Sequence, residues 1–318
     1  MTDLDDHVRL LVKVSTMYYL DALNQQEISL RLGISRPQIS RMLTAARTRG
    51  LVQIRIHNPF QSEQVLERAV METFSLRDVT VIDLPGGSRS QVEREMARSA
   101  AAIFESVLRD GDVVGVMAGR GVAALVGEVG QADFPRVRCV PLVGGWGAED
   151  GDTHASTTAR RLAQRLRAQA WTLSAPAVVT TAEARSLLLG ETQIGPVLDL
   201  ARRADVNLVG FGPVRGETGL LQDGHLPSAE LEAAVLAGAV ASVGGSLLDI
   251  QGALVHFEAS ARLIGLELPE IRQARSVIGL GSGPEKVEAL LATLRGRWID
   301  VLVTDRATAQ AVLERQLG

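Results

Sequence analysis

The sequence is poor in cysteine and in aromatic residues. Its one cysteine, Cys139, excludes a disulfide within the chain, and no cysteine spacing is that of a zinc site. Aromatic residues make up 3% of the chain, so the 46% of hydrophobic residues must build the core mainly from aliphatic side chains. Cys139 lies in an apolar run, and we expect it to be buried as a small hydrophobic residue.

Long hydrophobic runs and histidine clusters are also missing. No run approaches the roughly 20 apolar residues of a membrane helix, and the acidic N-terminus has no signal-peptide pattern, so we expect a cytoplasmic protein. The histidines show no metal-ligand spacing, and no metal site is predicted. They are His7, His57, His154, His225 and His256.

Acidic residues are absent between Glu27 and Glu63, although the whole chain carries a net charge of −4. The same stretch contains six arginines. An acidic chain that concentrates arginine in one segment is typical of proteins that bind nucleic acid. These arginines are Arg31, Arg36, Arg41, Arg47, Arg49 and Arg55.

The same region has the pattern of a winged helix-turn-helix. Helical spacing of apolar residues predicts a first helix over 5–21 and a short second helix over 25–32. A third helix is predicted to begin at Ser35, because Ser35 and Gln38 have the spacing of a capping box. Alternation over 51–56 predicts a strand, the wing of the motif.

Residues early on the third helix are the candidates for reading DNA bases. In this motif they reach base edges in the major groove, where Arg suits guanine and Gln suits adenine. Gln38 has an alternative use in the capping box. Arg47, Arg49 and Arg55 are assigned to phosphates, which fix register without specifying sequence. The candidate base readers are Arg36, Gln38, Ser40 and Arg41.

Beyond a linker over 57–64 and a helix over 62–74, short apolar runs alternate with helical patterns. Runs of this kind fit a parallel sheet covered on both faces, which predicts a doubly wound, Rossmann-like α/β domain. We expect two domains, 1–57 for DNA binding and 58–318 for effector binding and oligomerisation. The predicted strands are 79–83, 113–117, 137–143, 170–174, 206–211, 276–280 and 301–304. The predicted long helices are 91–109, 157–167 and 285–294.

Glycine-rich loops follow several of these strands, at 119–121, 144–147, 210–212 and 279–283. In open α/β sheets, ligands bind at the carboxyl ends of the strands. Several glycine loops that meet at this edge would therefore form one binding site.

Lys286 has an unusual place in this sequence. The chain has only two lysines, Lys13 and Lys286, against 31 arginines. Lys286 follows Gly281-Ser282-Gly283-Pro284 at the start of a helix, where backbone N–H groups and an ammonium would hold an anion. The alternative is an exposed lysine on a turn. No dinucleotide cofactor is expected, because Pro284 replaces the third glycine of that fingerprint.

With these residues in view, the chain resembles the SorC family of sugar-binding transcriptional regulators nearly from end to end. The most specific segments are 26–28, 33–41, 142–145, 281–286 and 302–305. The resemblance implies a second domain similar in fold to sugar-phosphate isomerases, which binds a phosphorylated sugar or polyol without turning it over. It also implies a repressor of a carbohydrate or polyol operon that binds a palindromic double-stranded DNA operator as a dimer or tetramer.

The resemblance also indicates effector-binding residues and three departures. Residues 118–121 read Ala-Gly-Arg-Gly where the family usually has a tryptophan-glycine pair followed by threonine. Ser156 replaces an asparagine, and Ser242 replaces an aspartate that would hold sugar hydroxyls, so an unusual or less polar effector is expected. The effector class stays open among a small sugar, a polyol and a sugar phosphate. The implied effector-binding residues are Gly119, Arg120, Gly121, Gly144, Gly145, Ser156, Gly212, Ser242, Gly281, Ser282, Lys286 and Asp305.

The alternative is an isomerase-like enzyme fused to a DNA-binding head. Acid–base chemistry on a sugar phosphate needs a carboxylate or histidine beside the anion. Lys286 and Asp305 are available, but no histidine is predicted near them, and His154 alone lies close to a glycine loop. We therefore expect a regulator and not an enzyme. A purely architectural DNA-binding protein would leave the whole α/β domain without a use.

Overall fold

The computed structural model describes residues 3–52, 61–146, 151, 153–214 and 228–317. The chain divides into two compact units, Met1–Pro59 and Phe60–Gly318. Within the described residues, no helix is both long enough and apolar enough to cross a bilayer.

The first unit is built from three helices, α1 (Asp3–Tyr19), α2 (Gln25–Leu32) and α3 (Arg36–Thr48). One apolar stripe from each helix meets at a small shared core, so the helices stabilise one another by burial. The buried residues of this cluster are Val14, Met17, Ile28, Ile39 and Leu43.

Local signals set the boundaries of α2 and α3. The Asn24 side chain accepts hydrogen bonds from the N–H groups of Gln26 and Glu27, both at 3.0 Å, and α2 ends at Gly33, which has a φ of +65°. At α3, Gln38 Oε1 accepts the Ser35 N–H at 3.2 Å, as the predicted capping box requires. The predicted wing over 51–56 lies largely outside the described residues.

The second unit alternates strands and helices. Its strands are β1 (Asp78–Ile82), β2 (Val113–Val116), β3 (Arg138–Pro141), β4 (Gln169–Ala170), β5 (Val206–Pro213), β6 (Ala241–Val243), β7 (Ser246–Leu248), β8 (Leu254–Val255), β9 (Ser276–Leu280) and β10 (Val301–Asp305). Its α-helices are α4 (Gln61–Phe74), α5 (Arg89–Val107), α6 (Arg120–Glu128), α7 (Ala155–Leu166), α8 (Ala182–Leu189), α9 (Gly195–Ala201), α10 (Ser228–Leu236), α11 (Leu268–Ile271), α12 (Val287–Arg295) and α13 (Arg306–Leu317). Two 3-10 helices cover Glu258–Arg262 and Pro284–Lys286.

Seven strands form a parallel sheet in the order β1-β10-β9-β5-β2-β3-β4. From β2 the chain moves outward to β3 and β4, then returns to β5 on the other side of β2. The strand order therefore reverses between β2 and β5, the kind of position where open α/β sheets bind ligands. The strands β6, β7 and β8 form an antiparallel extension from the end of β5.

Hydrophobic cores lie on both faces of the sheet. One contains side chains of α4, α9, α12 and α13, and the other contains side chains of α5, α6 and α7. Burial on both faces explains why the strands are apolar runs, and it confirms the predicted doubly wound α/β class. Cys139 is free and fully buried in β3, and burial raises the pKa of its thiol to about 12.

Two predicted elements differ from the structure. The predicted strand 170–174 is reduced to Gln169–Ala170, because the chain then turns and Pro176 pairs with Gly145 instead of extending the ladder. The predicted helix 285–294 begins as the 3-10 turn Pro284–Lys286 and continues as α12. The strands β6 to β8 were not predicted.

Candidate functional site

The exposed face of α3 is basic. Ile39, Leu43 and Ala46 are buried on its other face. The exposed side chains on α3 include those of Arg36, Gln38, Ser40, Arg41 and Arg47. The residue types and their placement on the second helix of a helix-turn-helix suit contacts with DNA. Arg55 lies outside the described residues.

The exposed side chains of α3 differ in how far they are engaged within the helix. Gln38 Oε1 accepts hydrogen bonds from both the N–H and the hydroxyl of Ser35, at 3.2 and 2.8 Å, so its oxygen is used for capping. Arg41 Nε donates to the Pro37 carbonyl at 3.4 Å. Arg36 has no hydrogen bond or ion pair to any residue that the structure describes. The guanidinium of Arg36 is thus available for a base edge.

In the second unit, two segments that contain predicted effector residues lie side by side, at the carboxyl ends of β2 and β9. Gly119 ends the loop after β2, Arg120 and Gly121 are the first residues of α6, and the segment after β9 contains Gly281 to Lys286. We call residues 281–286 the anion loop. Gly121 lies beside Leu280 at the end of β9, where an added Cβ would be 3.4 Å from the Leu280 Cγ. The two segments are therefore neighbours.

Hydrogen bonds from β10 and α13 hold the anion loop in place. Thr304 Oγ1 donates to the Gly281 carbonyl at 2.8 Å, and the Gly283 N–H donates to Thr308 Oγ1 at 2.9 Å. Asp305 Oδ1 accepts the Thr308 N–H at 2.7 Å. Asp305 therefore caps the first turn of α13 and supports the loop from behind.

Two glycines in the anion loop are required by their surroundings. A Cβ on Gly281 would lie 2.7 Å from the Phe211 ring and 3.5 Å from Cδ of Lys286, so the aliphatic chain of Lys286 packs close over Gly281. Gly283 has a φ of +107°, a conformation that residues with side chains rarely adopt.

Lys286 lies half-buried beside a second cation. Burial lowers the pKa of the Lys286 ammonium, and the nearby positive charge of Arg120 lowers it further. Among the residues that the structure describes, neither cation forms an ion pair with a carboxylate. Arg120 is the first residue of α6, whose N-terminus adds its own positive field. This combination fits an anionic ligand.

Gly144 and Gly145 form another part of this edge. Their N–H groups donate to the carbonyls of Ile264 and Ala175, both at 2.9 Å, so neither N–H faces a ligand. A Cβ on Gly144 would lie 2.4 Å from the Pro176 carbonyl oxygen. Both glycines therefore serve close packing of the backbone at this edge. His154 lies near them, with its ring 3.8 Å from a Cβ placed on Gly145.

The remaining predicted residues lie on flanking elements. Ser156 is in the first turn of α7, and its Oγ accepts the Leu173 N–H at 3.3 Å. Gly212 of β5 and Ser242 of β6 are paired in the antiparallel extension, and Ser242 is buried. Ser282 of the anion loop is buried as well.

Some residues at this edge have no signal in the sequence. Gly244 in the β6–β7 turn lies against Met117, because a Cβ there would be 2.1 Å from Cε of Met117. Arg89 of α5 forms an ion pair at 2.5 Å with Glu285 of the anion loop. A separate groove on β7 and β8, lined in part by His256 and Glu267, shares no residue with the predicted site.

Residues 58–314 match the Sugar-bind family, described as "Putative sugar-binding domain". The sorbitol operon regulator of Klebsiella pneumoniae is 32% identical over 314 residues, which cover 97% of this chain and 99% of that protein. The deoxyribonucleoside regulator of Bacillus subtilis is 27% identical over 305 residues, covering 96% and 97%.

A solved structure is similar over the same length. The crystal structure of the full-length sorbitol operon regulator from Klebsiella pneumoniae superposes with a TM-score of 0.75 at 30% identity. The match covers 97% of this chain and 99% of that chain.

Proposed function

The chain belongs to the SorC family of sugar-binding transcriptional regulators, and we propose that a phosphorylated sugar or polyol held at Lys286 controls its binding to an operator. One relative is named a sorbitol operon regulator and another a deoxyribonucleoside regulator. This chain is likewise a DNA-binding regulator that responds to a sugar. We propose that it acts in the cytoplasm as a repressor of a carbohydrate or polyol operon.

The observation that carries the proposed effector class is the pair of cations at the anion loop. The positive charge of Arg120 lowers the pKa of Lys286, and no described carboxylate forms an ion pair with either side chain. A phosphate group would relieve the repulsion between these two cations. It would also accept hydrogen bonds from the backbone N–H groups at the N-terminus of α6.

DNA recognition is assigned to α3. Arg36 is proposed to read a base in the major groove, and Arg41 and Ser40 lie on the same exposed face. Arg47 at the far end of the helix is proposed to contact phosphate.

A single helix-turn-helix makes a small contact, so we propose a dimer or tetramer, assembled through residues 58–318, on a palindromic operator. Light scattering on the full chain would measure this, and a monomer at micromolar concentration would contradict it.

An enzymatic role is not proposed. Asp305 is engaged in capping α13, and the Glu285 carboxylate is engaged by Arg89. Neither is placed as a free base beside Lys286, which acid–base catalysis on a bound sugar phosphate would need. Turnover of sorbitol 6-phosphate by the purified protein would overturn this assignment.

The test is operator binding, followed by fluorescence anisotropy while sorbitol, sorbitol 6-phosphate or deoxyribose 5-phosphate is added. Lys286→Ala should bind the operator as the wild type does and should need roughly tenfold to hundredfold more effector, because a charge-assisted contact contributes about 1.5–3 kcal/mol. The matched control is Lys13→Ala, which removes the other lysine and should leave the effector concentration unchanged. A Lys286→Ala protein that responds at the wild-type concentration would contradict the proposed anion site.

A further inference from the structure

Arg89, at the start of α5, binds two carboxylates beside the anion loop. Its Nη2 lies 2.5 Å from Oε1 of Glu285, and its Nε lies 2.9 Å from Oε1 of Glu93. Glu285 is the residue immediately before Lys286. One arginine, far away in the sequence, therefore determines where the carboxylate next to the proposed phosphate-binding lysine lies.

The other oxygen of Glu285 fits against the anion loop itself. A Cβ on Gly283 would lie 2.6 Å from Oε2 of Glu285, so the carboxylate occupies the space that glycine leaves open. Burial opposes the charge on Glu285, yet its own backbone N–H and the Arg89 guanidinium outweigh burial and hold the pKa of that carboxyl below its usual range. Glu285 is thus ionised and fixed in place.

Lys286 would otherwise attract this carboxylate. Its ammonium is half-buried, and its pKa is lowered by burial and then by Arg120. The charges of Glu285 and Glu93 offset this only in part, and the charge of Arg89 lowers the pKa further. Within the described residues, no carboxylate lies within ion-pair distance of Lys286. A glutamate one residue away, on a turn, would form that pair if nothing else held it.

We propose that Arg89 is a positioning residue, which binds Glu285 and so keeps Lys286 unpaired and open to an anionic ligand. This role rests on the proposed function of Lys286. When Arg89 is removed, Glu285 becomes the internal competitor of the ligand's phosphate. Arg89 affects ligand binding mainly through this carboxylate, because its own charge is the smallest of the charges that shift the pKa of Lys286, and it does not touch the ligand.

The first experiment measures Lys286 itself and needs no effector. Because Lys13 and Lys286 are the only lysines, acetylation of the full chain at pH 8, followed by mass spectrometry, gives the reactivity of Lys286 with Lys13 as internal reference. In Arg89→Ala, pairing with Glu285 raises the pKa of Lys286, and the labelling ratio should fall about threefold to tenfold.

Two double variants with the same net charge as the wild type decide the mechanism. Arg89→Ala with Glu285→Gln should restore the labelling ratio to within about twofold of the wild type. Arg89→Ala with Glu93→Gln is the matched control, because it removes the other carboxylate that Arg89 binds, and the ratio should stay low. An unchanged ratio in Arg89→Ala, or equal restoration by both double variants, would overturn the proposal.

The second experiment measures binding of inorganic phosphate to the full chain by calorimetry. Arg89→Ala should weaken binding about threefold to tenfold, and only the double variant with Glu285→Gln should recover it. A double variant as weak as Arg89→Ala would mean that Arg89 binds phosphate directly, which contradicts the positioning role. If Lys286→Ala binds phosphate like the wild type, the proposed function fails, while the labelling ratios still decide the role of Arg89.

Discussion

The backbone N–H of Gly283 donates a hydrogen bond to Thr308 Oγ1, at 2.9 Å. This contact joins the anion loop to the first turn of α13. Thr308 is buried, and its own N–H is held by Asp305 at 2.7 Å. The loop conformation is therefore set before any ligand binds, which reduces the entropy that binding must overcome.

Thr308→Val should loosen the anion loop. Valine has the same shape but cannot accept the Gly283 N–H, so the free energy of unfolding should fall by about 1 kcal/mol. Effector affinity should fall about threefold to tenfold, because part of that energy is then needed to order the loop. The control is Thr293→Val. Thr293 is a buried threonine of α12 whose hydroxyl donates to the Ala289 carbonyl, so this variant should lose stability without losing effector affinity. Equal effector affinity in both variants would mean that Thr308 has no part in effector binding.

Phosphate affinity should depend on pH through Lys286. Burial and Arg120 lower the pKa of Lys286 below its usual value of about 10.4, so the ammonium loses its charge earlier than an exposed lysine does. Affinity should therefore fall as pH rises through this lowered pKa, by at most about tenfold per pH unit. Calorimetry with inorganic phosphate between pH 7 and pH 10 would measure the fall, which should be absent in Lys286→Ala.

Lys286 should also affect stability without ligand. Its folded-state pKa is lowered, so the unfolded chain binds the proton more strongly between the lowered pKa and about 10.4. The free energy of unfolding should thus rise with pH in this window, and the rise should be smaller in Lys286→Ala. Urea unfolding at several alkaline pH values would measure it. Equal pH dependence in the two proteins would mean that Lys286 has an ordinary pKa.

DNA contacts should separate into two kinds. Arg36→Ala should cost roughly 1–3 kcal/mol at the operator and relax the preference at one base pair, because its guanidinium is proposed to read a base. Arg47→Ala should weaken operator and scrambled duplexes alike and reduce the dependence of binding on salt. Binding measured on both duplexes at several salt concentrations distinguishes them. If Arg36→Ala retains full sequence preference, the base contact is wrongly assigned.

Features with local signals were predictable from the sequence. The boundaries of α2 match the predicted range 25–32, because Gly33 ends the helix in a conformation that suits glycine. The strand β9 matches 276–280, because a strand buried on both faces is an uninterrupted apolar run. The loops that converge at the strand ends followed from the parallel topology.

Features that depend on long-range packing were not predictable. The strands β6, β7 and β8 have two or three residues each, too few for a periodic pattern. The pairing of Arg89 with Glu285 joins residues 196 positions apart, and nothing in either segment indicates it. The capping role of Asp305 became visible only when its contact with Thr308 was known, since a strand-end carboxylate also suits ligand binding.

The first turn of α13 also contacts α4, the first helix after the linker from the DNA-binding unit. Arg306 Nη1 lies 2.7 Å from Oδ2 of Asp83 and 3.6 Å from Oε1 of Glu63 on α4. Glu63 is largely buried, so its carboxylate depends on this arginine for compensation. The anion loop, through Thr308, and α4, through Arg306, are thus attached to the same turn of helix.

Arg306→Ala should therefore uncouple effector binding from operator release. Glu63 loses a cation that faces it in a largely buried place, so the free energy of unfolding should fall by about 1–3 kcal/mol. Effector affinity should stay within about twofold, because Arg306 does not line the anion loop, while the effector-induced loss of operator affinity should shrink. The control is Arg315→Ala on the same helix, whose ion pair with Glu288 at 3.4 Å is exposed and contributes little. An Arg306→Ala protein that releases its operator as fully as the wild type would exclude this turn as the connection, because the contact with Glu63 would then have no part in the response.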